Sequence, residues 1–190
     1  MLPTGKFDII YADPPWHYRG RKQFGFAGDV GVDSGGAIQH YETMPVEDLC
    51  ALPVSEIAAE DCLLYLWTTG PMIPDAFKVI GAWGFTYTTV AFVWDKVRVN
   101  PGYYTLSQTE FVLVAKSGKI PQPRGSRNQR QWFDEETVHE HRGEHSAKPA
   151  QVRKRIEAMH PLQNKIELFA REQVPGWTVW GNEVDHAQRA

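Results

Sequence analysis

Cysteine is scarce in this chain: Cys50 and Cys62 are the only two among 190 residues. They are too few for a disulfide framework and lack the spacing of a metal site, so both read as buried free thiols. No run approaches 18 consecutive apolar residues, and the N-terminus has no basic-then-apolar leader. A soluble cytoplasmic protein without a membrane partner is therefore expected. A G-x-G-x-x-G turn is missing, which argues against a dinucleotide cofactor. There is no internal repeat, and no RRM, KH or zinc-knuckle pattern. His139, His141 and His145 suit a polar loop better than zinc, so no metal is expected.

What is present fits one domain of ordinary size, residues 1–190, with 42% apolar and 23% charged residues. The net charge of −3 hides an asymmetry. Residues 116–155 hold 10 Lys and Arg against 5 Asp and Glu; the rest of the chain holds 10 against 18. A basic segment on an acidic body is one signature of a nucleic-acid binder, and a solvated loop is the plainer alternative.

Phe7–Ala12 is a continuous apolar run, as in a strand covered on both faces. Similar runs predict strands at Cys62–Trp67, Phe85–Lys96, Glu110–Lys116, Lys165–Ala170 and Trp177–Trp180. Val46–Ala59 reads as partly helical, interrupted by Pro53. Ile73, Phe77, Ile80 and Trp83 mark a helix ended by Gly84, and Val152, Ile156 and Met159 mark another. Residues 17–40, with six glycines, read as a long loop, Val97–Thr109 as a linker and Ser117–Glu144 as a basic excursion. Strands alternating with helices predict an α/β fold with a mostly parallel central sheet.

The first strand runs into Asp13-Pro14-Pro15-Trp16. At the carboxyl end of a parallel strand, such a turn lies where ligands bind. Asp13 is an acceptor for an exocyclic amine, and Pro14 keeps a carbonyl as a second acceptor. Pro14 and Pro15 stiffen the turn, and Trp16 offers a face for a base. Two acceptors on one NH2 group favour a pyramidal nitrogen whose lone pair can attack an electrophile. The structural alternative is that the prolines break the strand and Trp16 caps the core.

With this tetrapeptide, "HYETM" (His40–Met44), "LYLWTTGP" (Leu64–Pro71), "VIGAWGFTY" (Val79–Tyr87), "AFVWDK" (Ala91–Lys96), "TEFVLVAKSG" (Thr109–Gly118), "EHSAKP" (Glu144–Pro149), "KIELFAR" (Lys165–Arg171) and "PGWTVWGNE" (Pro175–Glu183), the chain resembles the MT-A70 family of methyltransferases. The resemblance implies a Rossmann-like methyltransferase fold with helices on both faces and a permuted strand order, the catalytic turn first and the cofactor strands last. It implies transfer of the S-adenosylmethionine methyl group to N6 of adenine.

By that resemblance, Asp13, Pro14, Pro15 and Trp16 are the catalytic turn, and Asp13 also meets the cofactor. Lys148 reaches the cofactor carboxylate, and Glu167, Arg171, Asn182 and Glu183 contribute to the cofactor site. Plainer readings are a surface lysine for Lys148 and an internal salt bridge from Glu167 to Arg171. Trp16 packs against the target base, and His40 and Tyr41 close over the site. From its charge, the basic excursion is expected to grip phosphates beside the cleft through Arg124, Arg127, Arg130 and Arg142. Trp67 and Trp94 read as core. The resemblance to compact bacterial or phage members favours DNA over RNA, and a homodimer is one way for so small a domain to grip a duplex. The alternatives are cytosine-N4 methylation and a non-catalytic partner subunit. The linker before Glu110, "PGYYTLSQT", departs from the basic or Trp-containing pattern of relatives.

Overall fold

The computed structural model describes residues 1–17, 43–101, 104–134, 148–182 and 184, with the side chains of residues 98, 100 and 101 set aside. Seven strands form one sheet: β1 (Phe7–Ala12), β2 (Ala58–Thr69), β3 (Thr86–Pro101), β4 (Leu106–Ser117), β5 (Trp132–Asp134), β6 (Lys165–Leu168) and β7 (Thr178–Trp180). Their order is β5-β3-β4-β2-β1-β6-β7. β1 pairs in parallel with β2 and β6, β6 with β7, and β3 with β5. Only β4 runs the other way, between β2 and β3. The sheet is thus mostly parallel, in keeping with a Rossmann-like methyltransferase fold.

The apolar run of β1 follows from this position. With a neighbour on each side and helices above and below, Ile9 and Tyr11 face one layer while Ile10 and Ala12 face the other. The Ile10 face packs under α1 (Val46–Ala51) and α2 (Ile73–Ala82) through Val46, Leu49, Ala76, Val79 and Ile80. The Ile9 face packs under α3 (Ala150–Met159) through Val152 and Ile156. Pro53 separates α1 from a 3-10 turn at Val54–Glu56. Gly84 adopts φ +84° after α2, a conformation open to a residue without Cβ.

The expected helix is α2: Ile80 and Trp83 face the core, and Phe77 is 43% exposed, its ring edge-on to Tyr87 on the surface. Two expectations need correction. The presumed linker Val97–Thr109 is mostly strand: β3 runs on to Pro101 and β4 begins at Leu106. The excursion after Ser117 contains a strand, β5, whose Phe133 is buried beside Phe92 while Arg155 lies across both rings.

Candidate active site

Six of the seven strands point the same way, so their carboxyl ends form one edge of the sheet. Asp13 follows β1 at that edge. Pro14 and Pro15 stop the strand, and the chain folds tightly: the Trp16 N–H donates to the Pro14 carbonyl (2.8 Å), and Met44 N–H to the Pro15 carbonyl (2.8 Å). Trp16 is 5% exposed and joins the core, its Nε1 donating 3.0 Å to the Trp67 carbonyl. Its ring packs inward, so the capping role proposed as the structural alternative describes its contacts among the described residues.

Asp13 Oδ2 lies 3.1 Å from Lys148 Nζ, and the same ammonium lies 3.3 Å from Glu110 Oε2. Glu110 Oε1 in turn takes Lys96 Nζ at 3.1 Å. Two acids and two lysines therefore alternate along the carboxyl edge, from the end of β1 across to β3. The register explains the geometry: Glu110 pairs with Thr69 at the last residue of β2, and with Trp94 on β3. Lys148 arrives from the other side, one residue before the N-cap Pro149 of α3.

Burial shapes the titration of this chain. It pushes the Asp13 carboxyl upward, against the pull of Lys148. At Glu110 burial also pushes upward, but Lys148 and Lys96 outweigh it and hold the carboxyl below its usual range. Burial disfavours charge on Lys148, and Asp13 and Glu110 more than reverse this, so the ammonium stays protonated. The Asp13 side chain keeps 21% exposure, enough for a ligand to reach it.

Tyr11 and Glu167 are in register across β1 and β6. Glu167 Oε2 accepts from Arg153 Nη1 of α3 at 3.0 Å, and Arg153 Nη2 reaches Glu172. Among the described residues, Glu167 forms a salt bridge with Arg153, where the sequence suggests Arg171. Burial raises the Glu167 carboxyl and Arg153 opposes this. After β6 the chain turns through Phe169 at φ +62°, a conformation that is uncommon without glycine. Ala170 N–H then donates 2.9 Å to the Trp180 carbonyl. A Cβ on Gly181 would lie 2.1 Å from the Ala170 carbonyl, so the ends of β6 and β7 meet only because residue 181 is glycine. This contact sets Arg171, whose charge weakly opposes the upward push of burial on Asp13, and the exposed Asn182 on the same edge.

The structure does not bring all of the arginines there. Gly125 N–H donates to the Met159 carbonyl and Ser126 N–H to Ala158, at the end of α3 remote from Lys148. Gln163, just before β6, donates to the Pro123 carbonyl. Arg124 and Arg127 therefore flank the amino edge of the sheet, about 20 Å of strand away from Asp13. These two do not meet Asp13 because the excursion first follows the amino edge of the sheet and only then climbs through β5. Arg130 sits on that climb, its carbonyl held by Arg155. His40, Tyr41, Arg142, Glu183 and the histidines 139, 141 and 145 lie outside the described residues.

Sequence reading missed Glu110, Lys96 and Arg153. Glu110 and Lys96 sit in strands among polar residues and look like a solvated face, and only the register shows that they close on Lys148. Trp94, read as core, is buried, and among the described residues its Nε1 has no hydrogen-bond partner.

The site holds a carboxylate and an ammonium side by side, the complement of an α-amino acid zwitterion. Asp13 suits the amino group and Lys148 the carboxylate of the methionine moiety of S-adenosylmethionine, so the residues present fit that cofactor.

The chain is 49% identical to the Type II methyltransferase M.MunI of Mycoplasma, over 97% of this chain and 80% of the relative. It is 26% identical to the N(6)-adenosine-methyltransferase MT-A70-like protein of Drosophila melanogaster and 25% identical to the human N(6)-adenosine-methyltransferase catalytic subunit METTL3. It covers 97% and 95% of itself in these two matches but spans only 28% and 29% of those longer proteins. The MT-A70 family model matches residues 7–183, from the first residue of β1 to just beyond β7, and the chain belongs to the MT-A70 family.

Proposed function

We propose that this chain transfers the methyl group of S-adenosylmethionine to the N6 amino group of adenine in DNA. The Asp13–Lys148 pair at the carboxyl end of β1 carries this reading, and likeness to a Type II methyltransferase supports DNA as the polymer. The bound cofactor supplies an electrophilic methyl on a sulfonium. Asp13 accepts one hydrogen of the target amine. The Pro14 carbonyl, with one lone pair already on the Trp16 N–H, accepts the other with its second. The nitrogen lone pair is thereby turned out of the ring plane. Upward pressure on the Asp13 carboxyl suits it to hold the proton released after transfer.

Lys148 grips the methionine carboxylate, with Glu110 keeping it charged and aligned. Arg171, Asn182, Glu183 and Glu167 border the adenosine end, with Glu167 acting through Arg153. His40, Tyr41, Arg130 and Arg142 serve the substrate side. The reaction belongs in the cytoplasm of a bacterial or phage-infected cell, and two copies grip one duplex.

A second reading, RNA adenine methylation, draws on the relatives named N(6)-adenosine-methyltransferases. The deciding experiment incubates purified protein with labelled S-adenosylmethionine and duplex DNA, single-stranded DNA, RNA, or duplex DNA lacking adenine. Products are identified by mass, with Asp13→Ala as control. N6-methyladenine in DNA, lost in the variant, supports the proposal. N6-methyladenosine in RNA alone moves the reading to the second, N4-methylcytosine moves it to the other base, and cofactor binding without transfer moves it to a partner subunit.

A further inference from the structure

Among the described residues, β4 has no β2 partner beyond Glu110, and β3 has no β5 partner beyond Asp95. What continues is a two-stranded ribbon, with Asn100 opposite Ser107 and Pro101 opposite Leu106. β3 runs parallel to β1, so the ribbon projects past the carboxyl edge, directly from Lys96 and Glu110 of the charged chain. An isolated two-stranded ribbon is marginal in water. This one is also apolar: Val97 is 46% exposed, Val99 49%, Leu106 64%, and Tyr104 fully exposed at the tip. Residues 97–109 hold one arginine and no acid, in a chain with 23.

The base of the ribbon is built to aim it. Between the Asp95–Thr109 and Asn100–Ser107 pairs, four residues of β3 oppose Gln108 alone, an enlarged bulge of the kind that redirects a strand. Within it Val97 adopts φ +62°, costly for a β-branched residue. Asp95 holds the bend, accepting from Val97 N–H at 2.8 Å and from Gln108 Nε2 at 3.1 Å.

We propose that this ribbon is a DNA-reading arm: it enters the major groove beside the target adenine, and Tyr104 takes the place of the extruded base in the stack. This rests on the DNA-adenine reading above. The four residues of β4 past Glu110 reach roughly 13 Å, more than the ~8.5 Å depth of a B-form major groove, which is wide enough for a two-stranded ribbon. The N6 group lies on that groove. The major groove of duplex RNA is too narrow for the arm, so its partner is B-form DNA. An absence of acids suits a polyanion, and an aromatic tip suits a gap between bases.

The test compares wild type with Tyr104→Ser and with the pair Val99→Thr, Leu106→Thr. All three positions are exposed, so the fold is spared, and cofactor binding checks the site. Two substrates are used: an adenine paired in duplex DNA, and the same adenine opposite an abasic site. Expected is a loss of about tenfold or more on the paired adenine, near-wild-type rates on the unpaired one, and reduced 2-aminopurine fluorescence when that analogue occupies the target position. Equal rates on both substrates in every variant overturn the arm while leaving the DNA reading intact. So does sedimentation in which the variants convert a wild-type dimer to monomer, which makes the ribbon a contact between copies. Failure of wild type to methylate any DNA overturns the DNA reading and the arm with it.

Discussion

Trp67 touches both halves of the candidate site: the Lys148 ammonium lies 5.5 Å from the centroid of its ring, and its backbone carbonyl accepts the indole N–H of Trp16 at 3.0 Å. Its own Nε1 donates 2.6 Å to the Tyr11 hydroxyl. Trp67→Phe keeps a ring face under Lys148 but leaves that hydroxyl without its donor. A loss of about 1–3 kcal/mol in urea unfolding is expected, with cofactor affinity nearly unchanged. Trp67→Ala also removes the ring, and about 3–5 kcal/mol is expected; here cofactor affinity falls as well.

Asp13→Asn separates chemistry from stability. The ionised carboxylate is disfavoured by burial, so the amide is expected to be tolerated, with a thermal midpoint at or above wild type. Turnover should fall by about 10² to 10⁴ with the loss of the base. In wild type, kcat/KM should fall on acidification through an apparent pKa above the ordinary ~3.9 of aspartate.

Lys148→Met leaves Asp13 without its counter-charge and Glu110 with Lys96 alone. Breaking a buried pair costs about 3–5 kcal/mol. The surviving carboxylate should titrate higher, so the acid limb of any residual activity moves to higher pH. An unmoved limb would show that Lys148 does not act on Asp13.

Arg153→Met should act on the cofactor through α3. The helix starts two residues after Lys148, and Arg153 is its tie to Glu167 and Glu172. Expected is a rise in KM for S-adenosylmethionine larger than the fall in kcat, with partial rescue by Arg153→Lys, which can hold one acid but not fork to two.

His160 should make stability depend on acid. It is 1% exposed, bonded through Nε2 to the Tyr65 hydroxyl at 3.0 Å, and burial with nearby Arg124 and Lys165 lowers its pKa to about 4. Between the unfolded value of about 6.5 and the folded one, the unfolded chain binds the extra proton. Its contribution is therefore full above pH ~6.5 and lost as pH falls toward 4, by about 3 kcal/mol in total. Unfolding free energies across that window should slope in wild type and flatten in His160→Leu.

Much of this was legible in the residues. The strand Phe7–Ala12 stands where its apolar run put it, because a central parallel strand has no solvent face on which to alternate. Asp13 and Lys148 were named from motifs 135 residues apart, and they meet. β5 escaped notice because three residues with only Phe133 buried carry no period. The ribbon escaped because its apolar residues face water, so its pattern resembles a loop. Glu110 and Lys96 take their meaning from cross-strand register, which no local window contains, and Arg153 hides among the polar positions of an amphipathic helix.

The place of β1 also bears on how the molecule is made. Its partners are β2, some fifty residues later, and β6, which the ribosome delivers only after Lys165. Pairings so distant in sequence are slow to close, and a domain synthesised from its N-terminus cannot complete them early. Asp13 is translated well before both of its partners: it acquires its flank from β6 and its lysine from residue 148. The Asp13–Lys148 pair is therefore assembled late, and a chain that ends before Lys148 carries the turn without its ion pair.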